Sequence, residues 1–357
     1  MTRIQRVVLA VVVVVVGGSA VPGGWNVATP ELRLGTDGER FTVDGTPRFL
    51  TLASYFDAMD AVALDEDLAT LARSVDGVRI FANWWDLGHG ECRYRFSDRT
   101  LFERRADGSI GVRPKPLDRL KHVLDRARHH GLLVDLTFAA DPVAGASKLV
   151  AGPDGRLCPP ADFANVVNWP GIATALADTT RALARPEYAH VFFDLQNEAG
   201  HNYNRATEDD LRRLVNAVRG ADRTRLISVS MFNPDADHQA ALVKGLGLSM
   251  LNFHDVPRGK GWGARTADHV KRFRAALDRV GLKLPIYAGE PDPGDYGGQL
   301  LEFNNALTGA RAAGAAAWTF HTRVAYDLRT AALDTRLDPL TRRVLGALRG
   351  WQQRQDR

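Results

Sequence analysis

The chain is poor in cysteine, short of long apolar runs and nearly free of charge bias. Cys92 and Cys158 are its two thiols in 357 residues. A disulfide-stapled scaffold is therefore excluded, and one bridge at most can form. The apolar stretch Val7 to Val16 falls well short of the ~20 residues a membrane-spanning helix needs. A formal charge of +4 calls for neither nucleic acid nor an anionic membrane as partner. No Gly-x-Gly-x-x-Gly follows the first strand-like run, which removes the dinucleotide fingerprint. No His/Asp/Glu spacing matches a dedicated metal site, and no cofactor is called for. Linkers, low-complexity segments and helical repeats are missing as well, so a second domain has no support.

What is present begins with a targeting pattern. Arg3 and Arg6 precede the apolar stretch, and Gly18-Ser19-Ala20 supplies small residues at a cleavage position. This is the layout of a secretory signal peptide over residues 1–20, and it predicts a secreted or periplasmic protein. Its removal takes two positive charges and no negative ones, leaving +2. Residues 21–357 are then expected to form a single catalytic domain and a monomer.

Apolar strand-like runs alternate with amphipathic stretches along the mature chain. Strands are predicted at Phe49–Ser54, Val78–Phe81, Leu132–Phe138, Val191–Gln196, Leu226–Ser230, Leu248–Phe253, Pro285–Gly289 and Ala315–Phe320. Between them, Leu117, Leu120, Val123, Leu124 and Ala127 keep the spacing of one buried helix face, as do Leu211, Leu214, Val215 and Val218, and Val270, Phe273, Leu277 and Val280. Thr207 with Asp210 reads as a helix N-terminal cap. Eight such alternations predict an α/β fold, a (β/α)8 TIM barrel. Arg40 to Pro47, with its Asp44-Gly45 turn, predicts a short β-hairpin placed to plug the barrel's bottom. Two long connections, Trp84 to Pro116 and Ala139 to Asn168, leave the strands' C-terminal ends, where barrels build their pockets. Each carries one cysteine, so a bridge would brace the rim.

Two glutamates close strand-like runs. Glu198 ends Val191 to Asn197, and Glu290 ends Leu284 to Gly289. Cleaving a glycosidic bond needs one carboxyl group to protonate the departing oxygen and an ionised one to meet the oxocarbenium-like carbon. Glu198 is the candidate general acid/base. Glu290 is the candidate nucleophile and must stay ionised, so it needs cationic or hydrogen-bonding neighbours. Arg79, at the end of the second strand, is placed to be one. Asn197 is placed to bond a sugar hydroxyl beside the reacting carbon.

The order Arg79, Asn197-Glu198, His254, Glu290, Trp318 resembles the clan of retaining β-glycosidases on (β/α)8 barrels, most closely the cellulase-like family 5 glycoside hydrolases. The resemblance spans Phe41 to the last helix. It implies that Glu198 and Glu290 end strands four and seven, that Arg79 contacts the nucleophile, that His254 positions the carboxylates or substrate, and that Trp318 floors the subsite of the cleaved sugar. The chain departs from that pattern at three places. Ala199 follows Asn-Glu where Pro is common, Thr137-Phe138 stands where many members end strand three with His, and His254-Asp255-Val256 lacks the tyrosine of a His-x-Tyr. Tyr296 and His321 are the candidates for that missing role.

Indole faces suit the apolar faces of pyranose rings. Trp84, Trp262 and Trp318 are therefore expected to bind substrate, and Trp85 to be core. His89 and His201 lie near strand ends as weaker candidates. Mixed charge around Arg93, Arg95, Arg99, Arg104 and Arg105 reads as solvated surface. The predicted function is hydrolysis of a β-linked glucan or mannan-type saccharide by double displacement. Transglycosylation, a barrel that binds sugar without cleaving it, and hydrolysis at a metal are the alternatives.

Overall fold

The computed structural model describes residues 32–87, 94–95, 100–140, 168–199, 206–231, 235–254, 261–290, 299–321 and 328–355. The expected signal peptide, both cysteines, His89, His201, Tyr296 and most of the connection after the third barrel strand lie outside them.

Three short strands come first: β1 (Leu34–Asp37), β2 (Arg40–Val43) and β3 (Thr46–Arg48). Val43 pairs with Thr46, leaving Asp44 and Gly45 as a two-residue turn, both at positive φ. That is the backbone a tight hairpin between right-twisted strands requires. β1 adds a third antiparallel strand that the sequence pattern had not shown. The predicted plug is in place. Phe41 is buried against Phe192, with Leu50, Leu52, Leu133, Met250 and Tyr287 in the same apolar cluster.

The barrel strands are β4 (Leu50–Ser54), β5 (Gly77–Leu87), β9 (Leu133–Ala140), β10 (Val191–Asp194), β11 (Ile227–Ser228) with β12 (Ser230–Met231), β13 (Leu251–His254), β14 (Ile286–Glu290) and β15 (Ala317–Phe320). β11 and β12 are one run interrupted at Val229. The first half pairs with β10 and the second with β13, while β15 pairs back to β4, all in parallel. Eight strands thus close a ring, as predicted. At the break, Ser230 donates its backbone N–H to the Asp194 carboxylate at 2.7 Å, so a side chain completes the ladder.

Helices α1 (Leu64–Ala72), α2 (Pro114–His129), α3 (Trp169–Leu183), α4 (Glu208–Ala221), α5 (Ala236–Leu246), α6 (Trp262–Arg279), α7 (Leu300–Ala312), α8 (Leu333–Arg336) and α9 (Pro339–Gln355) accompany the ring. The predicted faces are the buried ones: Leu120, Val123, Leu124 and Ala127 on α2, and Leu211, Leu214, Val215 and Val218 on α4. Thr207 and Asp210 form a reciprocal capping box on α4.

Two strand boundaries differ from expectation by three residues or more. β13 starts at Leu251 rather than Leu248, because α5 ends on left-handed Gly247 and Leu248 donates back to Val243. β5 runs on to Leu87, pairs with β6 (Tyr94–Arg95), and is followed by a hairpin of β7 (Phe102–Arg104) and β8 (Ile110–Val112). Among the described residues no helix is long and apolar enough to cross a membrane.

Side chains alternate across each strand. One set packs outward under the helices; the other points into the ring. The inward set is apolar at the bottom (Leu50, Leu52, Leu133, Phe192, Met250) and polar above it (Arg79, Asp135, Asp194, Asn252, Thr319), all buried. That polar layer carries the site.

Candidate active site

Glu290 is the last residue of β14, and Glu198 lies just past β10, the seventh and fourth strands of the ring. Strict alternation would turn Glu290 outward, since Gly289 already faces in. A register shift between β13 and β14 pairs His254 with Glu290 and skips a residue. Gly289 permits it: a Cβ there would lie 2.3 Å from Asn252 Oδ1. Glu198 has φ of 49°, a left-handed conformation uncommon for a residue with a side chain. Its N–H bonds Ser230 Oγ at 3.1 Å and the next N–H bonds the Ser230 carbonyl at 2.8 Å. These bonds hold the turn that aims Glu198 at the barrel axis.

One oxygen of Glu198, one of Glu290 and one nitrogen of His254 lie within 4.8 Å of one another. Glu290 is 8 % exposed, and its partners converge from three strands. Arg79 donates from Nη1 to Glu290 Oε2 at 2.9 Å, from Nη2 to Asn197 Oδ1 at 2.7 Å and from Nε to Thr137 Oγ1 at 3.1 Å. His254 Nδ1 is 2.9 Å from Glu290 Oε2 and 3.5 Å from Glu198 Oε1, at ion-pair distance but without hydrogen-bond alignment. His321 Nε2 is 2.6 Å from Glu290 Oε1. Its Nδ1 is 3.0 Å from Ser54 Oγ.

Beneath Arg79 are two fully buried acids. Asp135 lies 3.6 Å from its Nε and Asp194 3.8 Å from its Nη2. Tyr287 donates to Asp135 at 2.9 Å and shares a 2.6 Å bond with Thr319. Thr137 donates to the other Asp135 oxygen at 3.1 Å. Asn252 reaches Asp194 at 3.4 Å.

Burial and charge compete here. Burial pushes the Asp135 carboxyl up to about 7 against the pull of Arg79, and it raises Asp194 likewise. Burial also works against the charge on Arg79, but Glu290, Asp135 and Asp194 outweigh it and hold the guanidinium ionised. For Glu290, burial would favour the neutral acid. The charges of His321 and His254 reverse that and hold its carboxyl well below the usual range. Burial likewise opposes charge on His254, yet Glu290 carries it up to about 9.

Glu198, His254 and Glu290 have the spacing of a cation site. The Glu290 oxygen that faces His254 at 2.9 Å also accepts from the Arg79 guanidinium at 2.9 Å. A divalent ion would have to displace both interactions, so the cluster suits a held carboxylate better than a metal.

Five of the eight predicted site residues meet here: Glu198, Glu290, Arg79, Asn197 and His254. Two tryptophans do not. Trp318 is 1 % exposed and packs in the outer apolar layer, because Ala317 and Thr319 on either side of it face inward. Trp262, at the start of α6, is buried edge-on against Phe303 of α7 at 5.0 Å. Both expectations are corrected, since helix packing takes these rings and a sugar cannot reach them. Trp84 lies on β5 with its side chain outside the described set.

The aromatic pair beside the carboxylates is instead Phe56 and Phe81, both half-buried, with centroids 4.7 Å apart and Phe56 edge-on to His321 at 5.3 Å. The sequence reading also missed Ser54, Asp135, Asp194, Ser230 and Tyr287. An acid in the middle of an apolar strand, as in Leu-Val-Asp-Leu and Phe-Phe-Asp-Leu, is the signal that could have found two of them.

No family model matches the chain, and no curated protein does. Many solved structures share its fold. A family 5 glycoside hydrolase mannosidase from Rhizomucor miehei superposes with a TM-score of 0.60 at 11% identity, over 89% of this chain and 97% of that one. The endo-1,4-β-mannanase of the same organism gives 0.56 at 13%, over 81% and 90%. The β-mannanase of the blue mussel Mytilus edulis gives 0.52 at 16%, over 89% and 96%. The chain has the fold of these glycosidase barrels.

Proposed function

We propose that the chain is a retaining β-glycosidase acting on a β-linked mannan-type or related glucan saccharide. One observation carries the reading: two carboxylates from strands four and seven approach within 4.8 Å, one of them held ionised by His321, His254 and Arg79. Retaining enzymes use separations of about 5–5.5 Å, whereas inverting ones leave room for water at about 6.5–9.5 Å. The mannosidase and mannanases named above favour mannan among β-linked saccharides.

In this mechanism Glu290 attacks the anomeric carbon while Glu198 protonates the departing oxygen. Glu198, now ionised, takes a proton from water, which displaces Glu290 and returns both groups to their starting states. Asn197 is oriented by Arg79 to meet a hydroxyl next to the reacting carbon. Phe56 and Phe81, with Trp84, are the aromatic faces we assign to sugar contact. No cofactor enters. We take residues 1–20 as the export signal and 21–357 as the mature, secreted monomer.

The test is a panel of aryl β-mannosides, β-glucosides and manno-oligosaccharides offered to wild type and Glu290→Ala. Turnover in the wild type, lost by about 10³-fold or more in the variant, with the β-anomer appearing first by NMR, is the expected result. Longer products would place transfer beside hydrolysis. Binding without turnover in either protein would leave a sugar-binding barrel, and first appearance of the α-anomer would exclude retention.

A further inference from the structure

We propose that His321, fixed by Ser54, serves the second half of the reaction by stabilising charge that returns to Glu290 Oε1 as the glycosyl-enzyme breaks down. The inference rests on the retaining reading above and deepens it.

It follows from counting lone pairs on Glu290. Each carboxylate oxygen offers two acceptor sites. Oε2 accepts from Arg79 Nη1 at 2.9 Å, and His254 Nδ1 stands 2.9 Å from it without hydrogen-bond alignment, so two nitrogens already crowd that oxygen. Among the described residues Oε1 faces His321 Nε2 alone, at 2.6 Å. Oε1 is therefore the atom free to bond carbon. Nε2 must carry a proton, because a carboxylate oxygen can only accept. Ser54 Oγ, 3.0 Å from Nδ1, fixes the ring from its other edge. Ser54 ends β4 and His321 follows β15, neighbouring strands of the ring, and both residues are buried. The pair is rigid.

The two steps then differ in what they ask of His321. When Oε1 attacks, the C–Oε1 bond forms, the bond to the departing oxygen breaks, and that oxygen takes the Glu198 proton. Oε1 loses charge and its bond from His321 weakens, so the donor gives this step no assistance. In the second step a water oxygen bonds the anomeric carbon and its proton passes to Glu198. The C–Oε1 bond breaks and its electron pair returns to Oε1, where an N–H is already aimed. A donor pre-placed at a developing negative charge accelerates the step that creates it.

The experiment uses the 2,4-dinitrophenyl β-glycoside of the sugar that the panel selects. With so good a leaving group, kcat reports breakdown of the intermediate and kcat/KM reports its formation. His321→Ala is expected to lower kcat by about 10²-fold, to lower KM in step, and to give a burst of dinitrophenolate equal to the enzyme. kcat/KM should fall much less than kcat, because Arg79 and His254 still face Glu290 Oε2. His321→Gln, which can present an N–H, should recover part of kcat, and Ser54→Ala should show the same pattern more weakly. A fall in kcat/KM as large as that in kcat, or the absence of a burst, overturns the proposal. If His321→Ala does not fold by circular dichroism, His321→Gln and Ser54→Ala decide by the same criterion. A wild type inert on every glycoside, or equally active as Glu290→Ala, defeats the glycosidase reading itself.

Discussion

A carboxyl group as buried as Glu290 would ordinarily keep its proton; three groups from three strands make it an anion. His254 is a partner whose own state changes with pH. Its proton affinity is raised above that of a free imidazole, to about 9. The stability it lends is therefore whole below about pH 6.5 and is lost as pH rises through about 9. Glu290, with its affinity lowered, contributes above the ordinary carboxylate range and loses that contribution in acid. Denaturant unfolding at pH 6 and 9.5 should show wild type losing on the order of 3 kcal/mol more than His254→Asn across the interval. Parallel losses would mean that the ring is neutral in the fold. The reacting residues were legible because each ends an apolar run. Asp135 and Asp194 were passed over: each shows locally only as an acid within an apolar run, and the guanidinium beside it comes from 56 or 115 positions away in sequence.

At the scale of a strand, the end of β14 decides whether Glu290 faces the cavity. Gly289 and the register shift against β13 move it there, and Asn252 leaves no space for another atom. Gly289→Ala should cost about 1–3 kcal/mol and lower kcat/KM at least about tenfold, since an ångström of displacement can cost that much or more. Thermal unfolding and aryl-glycoside kinetics measure both, and unchanged kinetics would mean the strand end tolerates the shift. The strands themselves were readable to within a few residues, because continuous apolar runs leave few alternatives. Trp318 was misassigned for a reason equally legible in hindsight. It stands three residues before His321, an odd number, so in an extended strand the two face opposite sides. Trp262 was placed by its position after the sixth strand, but as the first residue of α6 it belongs to the helix layer.

For the whole molecule, the two ends of the barrel divide the labour. Phe41 seals the bottom against Phe192, and the acids and imidazoles occupy the top. Phe41→Ala should therefore destabilise by about 3–5 kcal/mol, measured by denaturant unfolding, while kcat/KM per folded molecule stays at the wild-type value. A drop in kcat/KM at temperatures where the variant is fully folded would show that the ends are coupled. The barrel was predictable from eight alternations and the hairpin from Asp-Gly. The third strand of the small sheet was not, because Leu34–Asp37 has too few apolar residues to show a period.

Asp194 ties these scales together. One of its oxygens accepts the Ser230 N–H where the pairing with β10 breaks off, and the other looks toward Arg79. A single side chain thereby fastens the hoop at its break and helps seat the cation under the reacting acid. Replacing it would loosen architecture and chemistry in one stroke, so this position gives evolution, or an engineer, no way to alter one and spare the other.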